Sequence, residues 1–262
     1  MTTMDRLIYR QTLEAPEVQA VKGSLLDVLT PVDGIAWGEP EGLYTTFNCI
    51  GVGNATDICN PDPKDFDTAS VVDGFRFSNY AGFTCKSVGL DWSDVERRLQ
   101  SIAMARETVA VEEAFMASDA FQGATDLTPA GGAVAPKVGL ALLEADLAAK
   151  YGLGVLHAPR VIASLLMDVH LTLDGNKLVT DLGTPMGAGG GYDVANTGPG
   201  GDTPAAGEYW MWATGGVQLQ RGQWLPLQRQ LDRSTNDMTT LVERIYVGSV
   251  DCYASAVKVT LS

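Results

Sequence analysis

Few residues in this chain are of types that do chemistry, and their spacing argues against most of it. There are two histidines, His157 and His170. His157 follows the apolar run Gly154-Val155-Leu156, and His170 sits beside a turn. No HxxxH or HExxH spacing exists to bring two imidazoles onto one metal. Both read as ordinary structural histidines. Ser255-Ala256-Val257-Lys258 has the SxxK spacing of a serine nucleophile with a lysine base. That chemistry uses a helix to bring the two side chains together. Here the segment alternates like a strand, which sends residues three apart to opposite faces. No GxSxG occurs.

Gly51-Val52-Gly53-Asn54-Ala55-Thr56 begins like a dinucleotide fingerprint. Its last glycine is missing, and Pro61 and Pro63 stand where a helix should follow. Gly187-Ala188-Gly189-Gly190-Gly191 has the glycines but neither a lysine nor a following helix, and reads as a flexible turn. Asp57, Asp62, Asp65, Asp67 and Asp73 lack the spacing of a calcium loop and read as a solvated acidic stretch. Glu112 and Glu113 are adjacent in a helical segment, where neighbours diverge by about 100°. They read as a solvated face, not an acid/base pair. Cys49, Cys59, Cys85 and Cys252 form no CxxC, so a zinc ribbon is excluded and four reduced thiols are expected. No residue is assigned to catalysis, to a cofactor or to a metal, and no enzymatic activity is expected.

The elements around these residues are easier to read. Residues 94–120 contain no glycine or proline, and Ser93-Asp94-Val95-Glu96 has the pattern of a capping box. Val95, Leu99, Ile102 and Val109 follow helical spacing, and Met104, Val111 and Phe115 widen the stripe. A spine helix of roughly 40 Å is predicted. Before it, Leu43 to Ile50 and Phe75 to Cys85 read as strands around an exposed loop. After it, Pro136 opens a second helix and Gly152 ends it. Gly154 to His157 is a short buried strand, and Pro159 starts another helix through about Met167. A hairpin turns at Asp174-Gly175, and a glycine-rich loop runs from Gly183 to Gly201. Tyr209 to Leu219 and Leu241 to Leu261 have strand character.

The charge balance narrows the partners. Lys and Arg total 18 against 32 Asp and Glu, a formal net charge of −14 in 262 residues. No basic face is available to neutralise phosphates, so sequence-specific nucleic-acid binding is not expected. An acidic surface repels nucleic acid, which suits a container wall. No signal peptide opens the chain, and no apolar run reaches the ~20 residues that span a bilayer, so no membrane partner is expected.

The order of these parts resembles the major capsid protein family of tailed bacteriophages, the Hong Kong ninety-seven type fold shared with bacterial encapsulins. Three places carry the resemblance. The first is Asp73-Gly74-Phe75 through Tyr80-Ala81-Gly82-Phe83, leading into the helix with Ala110-Val111-Glu112. The second is Tyr151-Gly152-Leu153-Gly154-Val155-Leu156-His157-Ala158-Pro159, then Leu178-Val179-Thr180, Gly183-Thr184 and Gly191-Tyr192. The third is Trp212-Ala213-Thr214-Gly215, followed by Glu243-Arg244 and the final strand. The likeness covers most of residues 70–262.

The resemblance implies an α+β fold. Its expected parts are an N-terminal arm (1–40), an extended loop and strands (41–90), a peripheral domain with the spine helix (91–130), an axial domain (131–230) and closing strands of the peripheral domain (231–262). It implies a subunit that self-assembles with copies of itself, in pentamers, hexamers or both, into the icosahedral shell of a tailed double-stranded DNA phage. Such a subunit encloses DNA and is assembled in the bacterial cytoplasm. A separate scaffold, a decoration protein or a second capsid protein are the further partners it admits. The residues assigned to assembly contacts are Gly187, Gly189, Gly190, Gly191 and Tyr192 in the glycine-rich loop, and Asp62, Asp65 and Phe66 in the acidic stretch. An encapsulin-like compartment shell, a minor phage structural protein and a small hydrolase are the competing readings.

Overall fold

Sequence order and sheet order differ over much of this chain. The computed structural model describes residues 20–35, 43–46, 70–86, 92–167, 169–225, 228–234 and 237–261. In chain order these form α1 (Leu25–Val28), β1 (Val32–Ile35), β2 (Leu43–Thr46), β3 (Ser70–Asp73), β4 (Phe75–Lys86), α2 (Trp92–Met116) and α3 (Asp119–Gln122). Next come β5 (Thr125–Asp126), α4 (Pro136–Lys150), β6 (Val155–His157), α5 (Arg160–Leu166), β7 (Leu171–Asp174), β8 (Lys177–Thr180), β9 (Pro185–Gly187) and α6 (Gly191–Val194). The chain closes with β10 (Glu208–Thr214), β11 (Val217–Gly222), β12 (Gln228–Asp232), β13 (Asp237–Val250) and β14 (Ala254–Thr260). Among the described residues, no helix is long and apolar enough to cross a membrane.

The spine helix is α2, with 25 residues and a length of roughly 37 Å. It starts at Trp92, so Ser93 lies in its first turn and not ahead of it as a cap. A capping box forms instead at α1, where the Ser24 N–H donates to the Asp27 carboxylate at 3.0 Å. The spine ends at Met116, short of the expected Ala120, because Ser118 intervenes. Its hydroxyl donates to the Phe115 carbonyl at 2.6 Å, competing with the helical ladder, and α3 then begins. The buried stripe runs through Val95, Leu99, Ala103, Thr108, Val111, Glu112 and Phe115. Ile102 and Met104, expected in that stripe, are exposed. The helix turns the small Ala103 and Ala105 inward instead.

A seven-stranded sheet has the order β5-β14-β10-β6-β9-β8-β7. Its central strand β10 reads Glu-Tyr-Trp-Met-Trp-Ala-Thr and is covered on both faces. Met211 and Ala213 point into a core with Leu140, Leu143 and Leu147 of α4 and Ile162 of α5. Trp210 and Trp212 point the other way, into a core with Phe115, Phe121, Tyr192 and Tyr246. β14 alternates likewise, with Val257 and Val259 toward α4 and Ala256 toward the aromatic side. Helix α4 approaches closely because it has Gly139 at the crossing, where a Cβ would meet Val259 Cγ1 at 2.5 Å. Fully burying each of these large side chains contributes on the order of 2–3 kcal/mol of transfer free energy.

β2 and β3 pair by themselves, and a five-stranded sheet is built around β13. It pairs with β4 over twelve register positions, from Gly248↔Phe75 to Asp237↔Lys86. Its other edge is shared by β12 near one end and β11 near the other, and β1 adds to β11 in parallel. The aromatic face of β4 packs inward: Phe75 meets Phe115 edge to face at 4.8 Å, and Phe77 stacks on Tyr246 at 4.9 Å. Sheet membership cuts across the expected segment boundaries. β11 lay in the expected axial segment but pairs with β13, and β14 lay among the expected closing strands but pairs with β10. The chain crosses between sheets at Asp251-Cys252-Tyr253. Long-range pairing of this kind has no local sequence signal.

Candidate functional site

A buried polar cluster sits where α1, α2 and α6 meet, and Glu112 is its centre. The spacing Thr108, Glu112, Phe115 turns Glu112 inward with the buried stripe, and it is fully buried. This overturns the reading of Glu112 as part of a solvated face. The signal was present: the residue lies four positions after one inward residue and three before another. Leu25 N–H donates to Glu112 Oε1 at 3.0 Å, and Gly191 N–H donates to Oε2 at 2.9 Å. Two glycines make room. A Cβ on Gly189 would lie 2.1 Å from Oε1, and one on Gly191 would lie 2.5 Å from the Glu112 Cβ. Burial pushes the Glu112 carboxyl up to about 7, against the pull of the two backbone donors. Asp193 adds to the rise and Arg160 opposes it.

The segment at 22–29 is held by more than Glu112. Gly23 N–H donates to the Asn176 carbonyl at 3.0 Å, and Ala188 N–H donates to the Gly23 carbonyl at 2.7 Å. Arg160 donates to the carbonyls of Lys22 and Ala188 at 2.9 and 3.1 Å. Leu25 is fully buried in the aromatic core. Beside this joint, His157 forms 2.7 and 2.8 Å hydrogen bonds with the hydroxyls of Tyr192 and Thr214. Burial lowers the His157 imidazole to about 3, so it stays neutral. Both ring nitrogens are taken up by these hydroxyls, and the ring braces the core.

The residues assigned to assembly contacts fall into two groups. Gly187, Gly189, Gly191 and Tyr192 are buried and Gly190 is half-buried, so this run packs on the chain's own spine helix and strap. Close packing, not freedom, explains these glycines. Asp62, Asp65 and Phe66 lie outside the described residues, as do Asp57 and Asp67. Ser255 is buried against the Tyr253 hydroxyl at 2.7 Å, while Lys258 reaches Asp202 at 2.8 Å, on separate sides of β14. No cluster of potential metal ligands occurs among the described residues. Cys252 is disulfide-bonded, contrary to the four reduced thiols expected, because spacing along the chain says little about spacing in the fold. The side chains of the other three cysteines are outside those described.

The surface offers one feature the sequence did not reveal. Among the described strands β7 is the outermost of its sheet; Leu173 near the turn of its hairpin and Val169 and Leu182 at its base are exposed, as is Leu165 of α5. The hairpin base is closed by Asp181 N–H donating to the His170 carbonyl at 3.3 Å, so Val169 and Leu182 flank one spot. Leu182 is 78% exposed. Exposed apolar side chains on and beside an outermost strand suit association.

No family model and no curated protein matches this sequence. Solved structures do. A chain from a native GTA particle capsid superposes with a TM-score of 0.54 at 12% identity, covering 98% of this chain and 100% of that one. A chain from Mycobacterium phage Che8 gives 0.53 at 12% identity, covering 98% and 97%. This chain has the tailed-phage capsid fold. The holo-SrpI encapsulin from Synechococcus elongatus PCC 7942 shares it at a TM-score of 0.51 and 12% identity, over 89% of this chain and 85% of that one. The capsid fold was legible in the order of elements, as the resemblance implied. At 12% identity the likeness lies in architecture, with few shared side chains.

Proposed function

We propose that this chain is the structural, non-catalytic subunit of an icosahedral shell, the capsid of a tailed double-stranded DNA bacteriophage. One observation carries this reading: the match to the GTA capsid chain runs end to end in both directions, 98% of this chain and 100% of the other. The described fold is thus taken up by a shell-type architecture. The net charge of −14 supports a wall that does not adhere to packaged DNA. The encapsulin-like compartment is the less supported reading, because that match covers less of each chain.

In this reading the seven-stranded sheet with α4 and α5 is the axial unit, and the β4–β13 sheet with the spine helix is the peripheral one. The outer edge at β7 is a contact between copies in pentamers or hexamers. Ring contacts join two different patches on each copy. The site is the virion, with assembly in the host bacterial cytoplasm, and a scaffold or second capsid protein is a further partner.

The purified chain, imaged by negative-stain electron microscopy with light scattering in parallel, is expected to give closed shells or rings of five or six. A strict monomer at high concentration, with added salt or crowding agent, overturns the reading. Cargo protein inside purified shells would mark a compartment instead. Leu173→Asp combined with Leu182→Asp is expected to cut particle yield about tenfold or more while the far-ultraviolet circular dichroism stays unchanged. Each 1.4 kcal/mol lost from a contact is about tenfold in its equilibrium. Unchanged yield would remove β7 from the interface.

A further inference from the structure

Residues 20–35 cross from one sheet to the other, and Glu112 sits under the crossing. At one end Gly23 is bonded to Asn176 and Ala188 beside β8 and β9. At the other end β1 pairs with β11 of the second sheet. In between, the two oxygens of one carboxylate hold backbone donors from two segments, Leu25 of the crossing strap and Gly191 of α6. A buried charge is expensive unless it is paired or hydrogen-bonded. Among the described residues no ion pair reaches Glu112; the two amides offset part of the cost of burying its charge, and burial outweighs them. We propose that Glu112 is the latch of this strap, and that its protonation state sets how tightly residues 22–29 are held across the junction of the two sheets.

The charged and titratable groups around the latch are few. α6 contributes Asp193 and the Tyr192 hydroxyl, which is tied to His157 of β6. α5 contributes Arg160, whose guanidinium is occupied by two carbonyls. α1 contributes Asp27, bonded to Ser24, and α2 itself contributes Glu113 beside it. His157 is held neutral and Tyr192 is held well above its ordinary value by burial, so neither titrates near neutrality. Glu112 is the buried carboxyl between the strap and α6.

The sign follows from linkage. With the strap closed, the carboxyl is raised from 4.5 to about 7; with it open, water reaches the group and the value falls back. The closed form therefore binds the proton more tightly. The strap is tightest below about pH 4.5 and loosens as pH rises through about 7. The full difference, from 4.5 to about 7, corresponds to a change on the order of a hundredfold in the opening equilibrium.

The test is hydrogen–deuterium exchange of peptides spanning residues 22–29, corrected for intrinsic rates, from about pH 5.5 to about pH 8.5. In the wild-type chain, protection of these amides is expected to fall about thirtyfold, most of it below about pH 7 and levelling off above, while β13 and β14 peptides stay level. In Glu112→Gln the strap peptides are expected to show no such pH dependence. If that variant fails to fold, the wild-type profile alone decides. A flat wild-type profile, a rise in protection with pH, or an equal slope in Glu112→Gln overturns the proposal.

Discussion

Replacing Glu107 with leucine is expected to lower stability by about 3–5 kcal/mol, read as a shift of the urea midpoint at unchanged slope. Glu107 lies one turn and a half before Glu112 on the spine helix, and its side chain is only 8% exposed. One oxygen gathers three groups of the neighbouring sheet. Arg244 donates to it at 3.1 Å and the Tyr246 hydroxyl at 2.5 Å, both from β13. Arg221 of β11 stands at 3.9 Å and also bonds Asp33 of β1 at 2.6 Å. Burial, then the Glu107 carboxylate, keeps the Tyr246 hydroxyl protonated far above neutrality. Leucine removes the shared acceptor and leaves Arg244 and Tyr246 facing apolar atoms. Leaving a buried charge unpaired costs far more than the pair itself stabilises. A loss below about 1 kcal/mol would mean that water reaches Arg244 and replaces the carboxylate.

Gly154→Ala is the second large effect, about 3 kcal/mol or more, measured in the same way. An ordinary glycine-to-alanine change stabilises by roughly 0.4–1 kcal/mol, because it narrows the unfolded ensemble. Gly154 is different for a reason of space. A Cβ there would lie 2.0 Å from the Thr214 carbonyl oxygen and 2.9 Å from Leu147 Cδ1. The first of these atoms is backbone in the central strand β10, paired with β6 and β14 on its two sides, so it has nowhere to move. The strain would spread to His157, Thr214 and the aromatic core they brace. A neutral or stabilising result would show that β6 slides along β10.

Much of this architecture could be read from the residues, and the parts that could not share a cause. The α4 helix was announced by Pro136 at its start and Gly152 after its end, and Gly152 has a φ of 107°. The β7–β8 turn was announced by Asp174-Gly175, and Gly175 has a φ of 64°. These are local signals, written within a few residues. The larger failures are at long range. Glu112 looked like a surface charge until Leu25 and Gly191, distant in sequence, brought their amides to it. The glycines at 189 and 191 looked like slack and are instead close fits against that carboxylate. β11 and β14 changed sheets for partners the chain meets only after folding. The spine helix itself was correct in place, but its inward face turned on Ala103 and Ala105, which a search for large apolar residues overlooks.

The β4–β13 pair has a mechanical meaning. Hydrogen bonds in an antiparallel ladder run across the strands. A pull applied at opposite ends of this pair, along the strand axis, therefore loads all twelve register positions together, not one after another. The far edge of β13 is anchored as well, by β12, by the Leu225 N–H to the Glu243 carbonyl at 2.8 Å, and by β11. Tension along this direction meets a shear-loaded plank with no seam to unzip from one end, whereas a pull across it would peel the edge strand bond by bond. A wall built from such subunits withstands pressure from within if the plank lies in the plane of the wall.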